Sequence, residues 1–98
     1  MEEIRVGVIG IGNMGSRHAE CIAKGEIPGM QLAAVADRRE QRKTWARENL
    51  PATVSFFSEG SELIRSGLCD AVVIATPHYQ HPTLACEALK AGLHTLSE

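Results

Sequence analysis

Several things are scarce or missing in this sequence of 98 residues. No apolar run approaches the ~20 residues that cross a bilayer as a helix, and the stretch 71–75 is among the longest. Met1 is followed by the acidic Glu2 and Glu3, whereas a secretory leader opens with basic residues and an apolar segment. A cytoplasmic protein without a membrane partner is therefore expected. Basic charge is not in excess: Lys plus Arg number 10 against 12 for Asp plus Glu, a net charge of −2. Nucleic acid is excluded as the main partner, because phosphate binding needs a net basic surface. The three cysteines, Cys21, Cys69 and Cys86, are odd in number and far apart. With no Cys-x-x-Cys pair and no Cys/His cluster at zinc spacing, a disulfide framework and a structural metal are excluded. Free thiols in a reducing compartment are the expectation. Repeats, linkers and low-complexity tracts are also missing. What remains has a globular composition, 44% apolar and 22% charged, and a length that bounds it to one domain over 1–98.

Short apolar runs alternate with amphipathic stretches. Strands are predicted at 4–9, 32–36, 53–57, 71–75 and 94–97. Helices are predicted at 13–24, 39–49 and 61–65, and again between Pro82 and Gly92. In the first helix Met14, His18, Cys21 and Ile22 recur on one face, and Gly25 is placed to end it. Pro51 ends the second. The strands are continuous rather than alternating apolar runs, which means that both faces are covered. Strand followed by helix, repeated in this way, predicts an α/β fold. The sheet is expected to be doubly wound, with five mainly parallel strands and flanking helices.

The first strand runs straight into Gly10-Ile11-Gly12-Asn13-Met14-Gly15, a Gly-x-Gly-x-x-Gly sequence that opens a helix. That context gives the pattern its meaning. Gly10 permits a tight turn, Gly12 leaves room for a pyrophosphate, and Gly15 lets the helix pack against the strand. The unpaired N–H groups of the helix start face the phosphates. Asp37 follows at the end of the second strand, 22 residues after Gly15. A carboxylate there accepts hydrogen bonds from the adenosine ribose; its plainer alternative is to cap the next helix. NAD is favoured over NADP, because Asp37 repels a 2′-phosphate. Yet Arg38, Arg39, Arg42, Lys43 and Arg47 crowd the same stretch. Arg38, adjacent to Asp37, is placed to stack on adenine or to reach such a phosphate.

The fourth strand ends in Thr76-Pro77-His78-Tyr79-Gln80-His81-Pro82, at the end of a parallel sheet where ligands bind. His78 and His81 titrate near neutrality, but one sequence shows neither a carboxylate partner nor a third metal ligand. His18 reads as a packed helix residue.

Taken together these residues resemble the Gfo/Idh/MocA oxidoreductases along essentially the whole chain. Val6 to Gly15 with His18-Ala19, 32–38 through Asp37-Arg38, 70–77 with His81, and 88–94 are similar to that family's motifs. His78 stands where many members have Asn. The resemblance implies a Rossmann domain and a dinucleotide cofactor. It also implies hydride transfer between nicotinamide and a hydroxyl-bearing carbon of a sugar or polyol. It implies that Gly10, Gly12, Asn13, Met14 and Gly15 hold the pyrophosphate, and that Asp37 and Arg38 hold the ribose. Thr76, Pro77 and His81 then line the nicotinamide side, and Glu98 approaches the nicotinamide ribose. Glu98, the last residue, corresponds to the first position of the family's Glu-Lys-Pro motif. The catalytic Lys and the C-terminal substrate domain of that family are therefore expected to lie outside this chain, which would bind dinucleotide without turnover. No catalytic residue is assigned here. A stand-alone nucleotide-sensing module is the alternative reading. Self-association through the strand near His94 is expected if truncation leaves its edge exposed.

Overall fold

Val6, Val8 and Ile9 are β-branched and almost wholly buried, which suits a strand packed on both sides. They belong to β1 (Ile4–Ile9), at the centre of the sheet. A computed structural model describes residues 4–75 and 92–97. Its other elements are α1 (Asn13–Ala23), β2 (Met30–Ala36), α2 (Glu40–Asn49), β3 (Ser55–Phe57), α3 (Gly60–Arg65), β4 (Ala71–Ile74) and β5 (His94–Ser97). The sheet order is β3-β2-β1-β4-β5, and each neighbouring pair is parallel. The sheet order reverses between β2-β1 and β4, which is the doubly wound arrangement. The helix expected between Pro82 and Gly92 lies outside the described residues, save Gly92.

Two apolar layers enclose the sheet. On one face Val6, Val8, Leu32 and Val35 meet Ala19 and Ile22 of α1 and Ala46 of α2. On the other, Ile9, Ala34, Ala36, Val72 and Ile74 meet Leu63 and Ile64 of α3. Strict alternation along β2 would place Leu32 and Val35 on opposite faces. A register shift in β2 opposite Val6 and Gly7 absorbs Ala33 and brings both onto the same face.

Gly7 shows how tightly α3 is docked. A Cβ there would stand 2.7 Å from both Cys69 Sγ and a Leu63 methyl carbon. Leu63 is fully buried, so it has nowhere to retreat. Burial also pushes the Cys69 thiol up to about 11, which keeps it a neutral packing group. At the amino ends of β1 and β4, Arg5 and Asp70 form an exposed bidentate ion pair, with one bond at 3.1 Å. It lies at the opposite end of the strands from the glycine turn.

Gly7→Ala is expected to destabilise the protein by about 1–3 kcal/mol through overpacking. Urea unfolding midpoints check this, and Gly7→Ala combined with Leu63→Val should recover part of the loss. An unchanged midpoint would contradict the close approach of α3.

Candidate functional site

The ladder of β1 and β2 continues past the strands into a turn. Gly10 N–H donates to Ala36 O at 2.7 Å, and Asp37 N–H donates to Phe57 O at 3.1 Å. On the other side Ala75 N–H donates to Ile9 O at 2.8 Å. The carboxyl ends of β2, β1 and β4 are thereby fixed side by side. Gly10 takes a φ of 89°, a left-handed conformation that costs other residues a clash of Cβ with backbone. This bend turns the chain into α1.

Gly15 lies one helical turn along. A Cβ there would overlap the carbonyl oxygen of Gly10 and come 3.4 Å from the Ala75 Cβ. The helix can therefore begin on top of the turn only because Gly15 has no side chain. Gly12 is the N-cap residue and, as a glycine, offers no side chain to cap this end of α1. The first-turn N–H groups have no intrahelical partner and carry the positive end of the helix dipole. Among the described residues, a Cβ on Gly12 would meet one atom within 4 Å, Arg39 Nη2 at 3.3 Å, and no backbone atom. Asn13 and Met14 occupy the first turn of α1.

Asp37 closes the other side. Its carboxylate is 5% exposed and accepts four hydrogen bonds. Ile11 N–H, in the glycine turn, donates to Oδ2 at 3.0 Å. Arg39 donates its backbone N–H to Oδ1 at 2.9 Å and its Nε to the same oxygen at 3.0 Å. Arg39 Nη2 donates to Oδ2 at 2.9 Å. Burial alone would raise the Asp37 pKa, but the Arg39 and Ile11 hydrogen bonds and the Arg39 charge outweigh it and hold it below the usual 3.8. The same pairing raises the pKa of Arg39 above its ordinary value.

The plainer alternative for Asp37, a cap of the next helix, does not hold in its simple form. The N-cap of α2 is Arg39, and it has no side-chain cap. Asp37 instead accepts the N–H two residues on, an Asx-type turn into α2.

Arg38 is not where its adjacency to Asp37 suggests. Its guanidinium pairs with Glu59 at 2.9 Å, and Arg39 takes the place beside Asp37. A turn explains the exchange. The chain bends at Arg38, and the Arg39 N–H bond to Asp37 Oδ1 closes the turn that sets the Arg39 guanidinium beside the carboxylate. The spacing Asp-x-Arg was the available signal. Of the remaining expected site residues, Thr76, Pro77, His81 and Glu98 lie outside the described residues. No group of three or more His, Cys, Asp or Glu suited to a metal occurs among the described residues.

The glycine N-cap of α1, the lack of a side chain at Gly12 and the carboxylate at the end of β2 fit a dinucleotide, with phosphates at the helix and a ribose at the acid.

Residues 4–98 match the family model GFO_IDH_MocA, described as an oxidoreductase family with an NAD-binding Rossmann fold. An inositol 2-dehydrogenase of Rubrobacter xylanophilus is 45% identical over 97 residues, covering 99% of this chain and 27% of that protein. The crystal structure of scyllo-inositol dehydrogenase from Lactobacillus casei, with bound NAD(H) and scyllo-inositol, superposes with a TM-score of 0.90 at 29% identity. That match covers 98% of this chain and 28% of the other. UDP-N-acetylglucosamine 3-dehydrogenase from Acidithiobacillus ferrooxidans superposes at 0.78 with 35% identity, over 99% of this chain and 29% of its own. The chain thus spans under a third of the length of these relatives.

Asp37→Ala is expected to lower stability at neutral pH by about 1–3 kcal/mol, because it leaves the N–H of buried Ile11 without its acceptor and removes the charge-assisted bonds to Arg39. The pH sign follows from the lowered pKa. The carboxylate's contribution is complete above the ordinary value of 3.8 and is lost as pH falls through the lower folded value. Urea titrations of both proteins should therefore converge in strong acid. A constant gap across the acid range would contradict the ionised role of Asp37.

Proposed function

Since the chain belongs to the Gfo/Idh/MocA family of NAD-binding oxidoreductases, we infer that it is the dinucleotide-binding domain of an NAD(P)-dependent dehydrogenase. Its reaction is hydride transfer at a hydroxyl-bearing carbon of a polyol- or sugar-like substrate. One observation carries this reading: the hydrogen bond from Ile11 to Asp37. It joins the glycine turn to the acid at the carboxyl ends of adjacent parallel strands, where a pyrophosphate and its adjoining ribose would need them together. Inositol dehydrogenases similar to this chain over nearly all of it support a cyclic polyol as the substrate class.

Gly10, Gly12 and Gly15, with Asn13 and Met14, would hold the pyrophosphate through backbone N–H groups and the helix dipole. Asp37 would accept the ribose hydroxyls. Thr76, Pro77 and His81 would line the nicotinamide side and Glu98 its ribose, a reading that rests on the motifs. The bound nicotinamide supplies the hydride chemistry, and the residues of this chain supply its position. Substrate binding and proton transfer are assigned to a further domain, since the relatives extend well past the matched part. The 98 residues are then a binding unit without turnover of their own.

We place the protein in the cytoplasm, a reading supported by the free thiols Cys21 and Cys69. Self-association of the 98-residue chain through the outer edge of β5 belongs to the same reading. Among the described residues β5 is bonded to β4 alone, and a bare edge invites another strand.

Isothermal titration with NADH should show saturable binding. Asp37→Ala should weaken it by roughly ten- to a hundredfold, the loss of charge-assisted hydrogen bonds to the ribose. No heat of binding to the unaltered protein at millimolar NADH would sink the proposal.

A further inference from the structure

At its carboxyl end α2 stops abruptly. Leu50, its C-cap, is extended at φ −111° and ψ 153°, and Pro51 cannot continue a helix. Val54 N–H then bonds back to Pro51 O at 3.0 Å, which turns the chain into β3. A cleft of about 280 Å³ remains between the end of α2, this turn and the sheet. Val35, Ala46, Leu50, Val54 and Phe56 give it an apolar lining. Val35, Ala46 and Leu50 are buried, whereas Pro51 and Ala52, also in the lining, are exposed. The size lies between the ~150 Å³ of an apolar cavity that holds benzene and the ~300 Å³ at which ligand pockets begin. One ring or a short branched chain fits such a space.

Among the described residues, Arg47 is the one charged member of the lining. Arg5, Arg38 and Arg39 each pair with a carboxylate. Arg47 is exposed and, among the described residues, has neither an ion pair nor a side-chain hydrogen bond. In the last turn of α2 it offsets the negative end of the helix dipole, a role that engages none of its five N–H donors. We propose that the cleft is a binding site for a small monocarboxylate with an apolar body. The body would lie against Leu50, Val54 and Phe56, and the carboxylate would take the free guanidinium of Arg47. Without Arg47, the carbonyl end of α2 would repel the anion. The site is separate from the glycine turn and Asp37. Arg39 and Arg47 lie toward opposite ends of α2, a helix of 10 residues and so about 15 Å long.

The test is a titration of the full chain with phenylacetate and with its neutral isostere phenylacetamide, followed by NMR through the backbone amides of Ala46, Leu50 and Val54. Phenylacetate should shift these amides saturably, with a dissociation constant on the order of 1 mM for about ten non-hydrogen atoms. Phenylacetamide should bind about threefold more weakly, the scale of one exposed ion pair. Arg47→Gln should weaken phenylacetate by about the same factor and leave phenylacetamide unchanged, while Arg47→Lys keeps most of the difference. Arg65→Gln, an exposed change on α3 against the other face of the sheet, should alter neither ligand. Thermal melts confirm that each variant is folded. A loss of about twofold or more for phenylacetate alone in Arg47→Gln supports the inference. A smaller loss, an equal loss for both ligands, or a matching loss in Arg65→Gln overturns it. The absence of saturable shifts at these amides by about 20 mM phenylacetate, well past the expected constant, also overturns it.

Discussion

The carboxylate of Asp37 is almost wholly withdrawn from water, and four N–H groups replace the solvent it loses. A buried charge is tolerated only when it is paired and hydrogen-bonded, and this one is paired by parts of the chain that must otherwise be brought together. Ile11 comes from the turn after β1, and Arg39 from the start of α2. One acid thereby fixes the glycine turn against the end of β2 and sets the entry angle of the next helix. The site is a by-product of the same bonds that close the sheet at this end.

Its precision depends on the layers beneath. β1 cannot shift, because Val6 and Val8 fill one core and Ile9 the other. Gly7 lets α3 lie against the strand, and Gly15 lets α1 begin on the Gly10 carbonyl. Small residues at these contacts turn a generic parallel sheet into one whose helix dipole points at a defined place. The shift in β2 around Ala33 has a similar effect, since it restores Val35 to the face covered by α1 and α2.

Much of this was legible in the sequence, because burial on both faces writes itself as continuous apolar runs. β1 and β5 have the bounds expected from such runs. β2 begins earlier, at Met30. Gln31 is polar and exposed, and backbone pairing with Arg5 rather than burial keeps it in the strand. β3 begins later than Thr53, because Val54 N–H bonds back to Pro51 O in a turn. The glycine turn and Asp37 were visible because their spacing follows from the chemistry of a dinucleotide. The identity of the arginine was not. Choosing Arg39 over Arg38 requires the bend after β2 to be known, which composition does not reveal. The importance of Gly7 was equally hidden, since it depends on Leu63 and Cys69 arriving from distant positions.

The central claim is that one carboxylate holds the turn together and receives the cofactor. A crystal structure of the protein with NADH bound tests it most directly. The account predicts a ribose hydroxyl within hydrogen-bonding distance of Asp37, pyrophosphate over Gly12 at the start of α1, and the Arg39 side chain moved off the carboxylate. A dinucleotide bound elsewhere, with the Arg39–Asp37 pair intact, would contradict it.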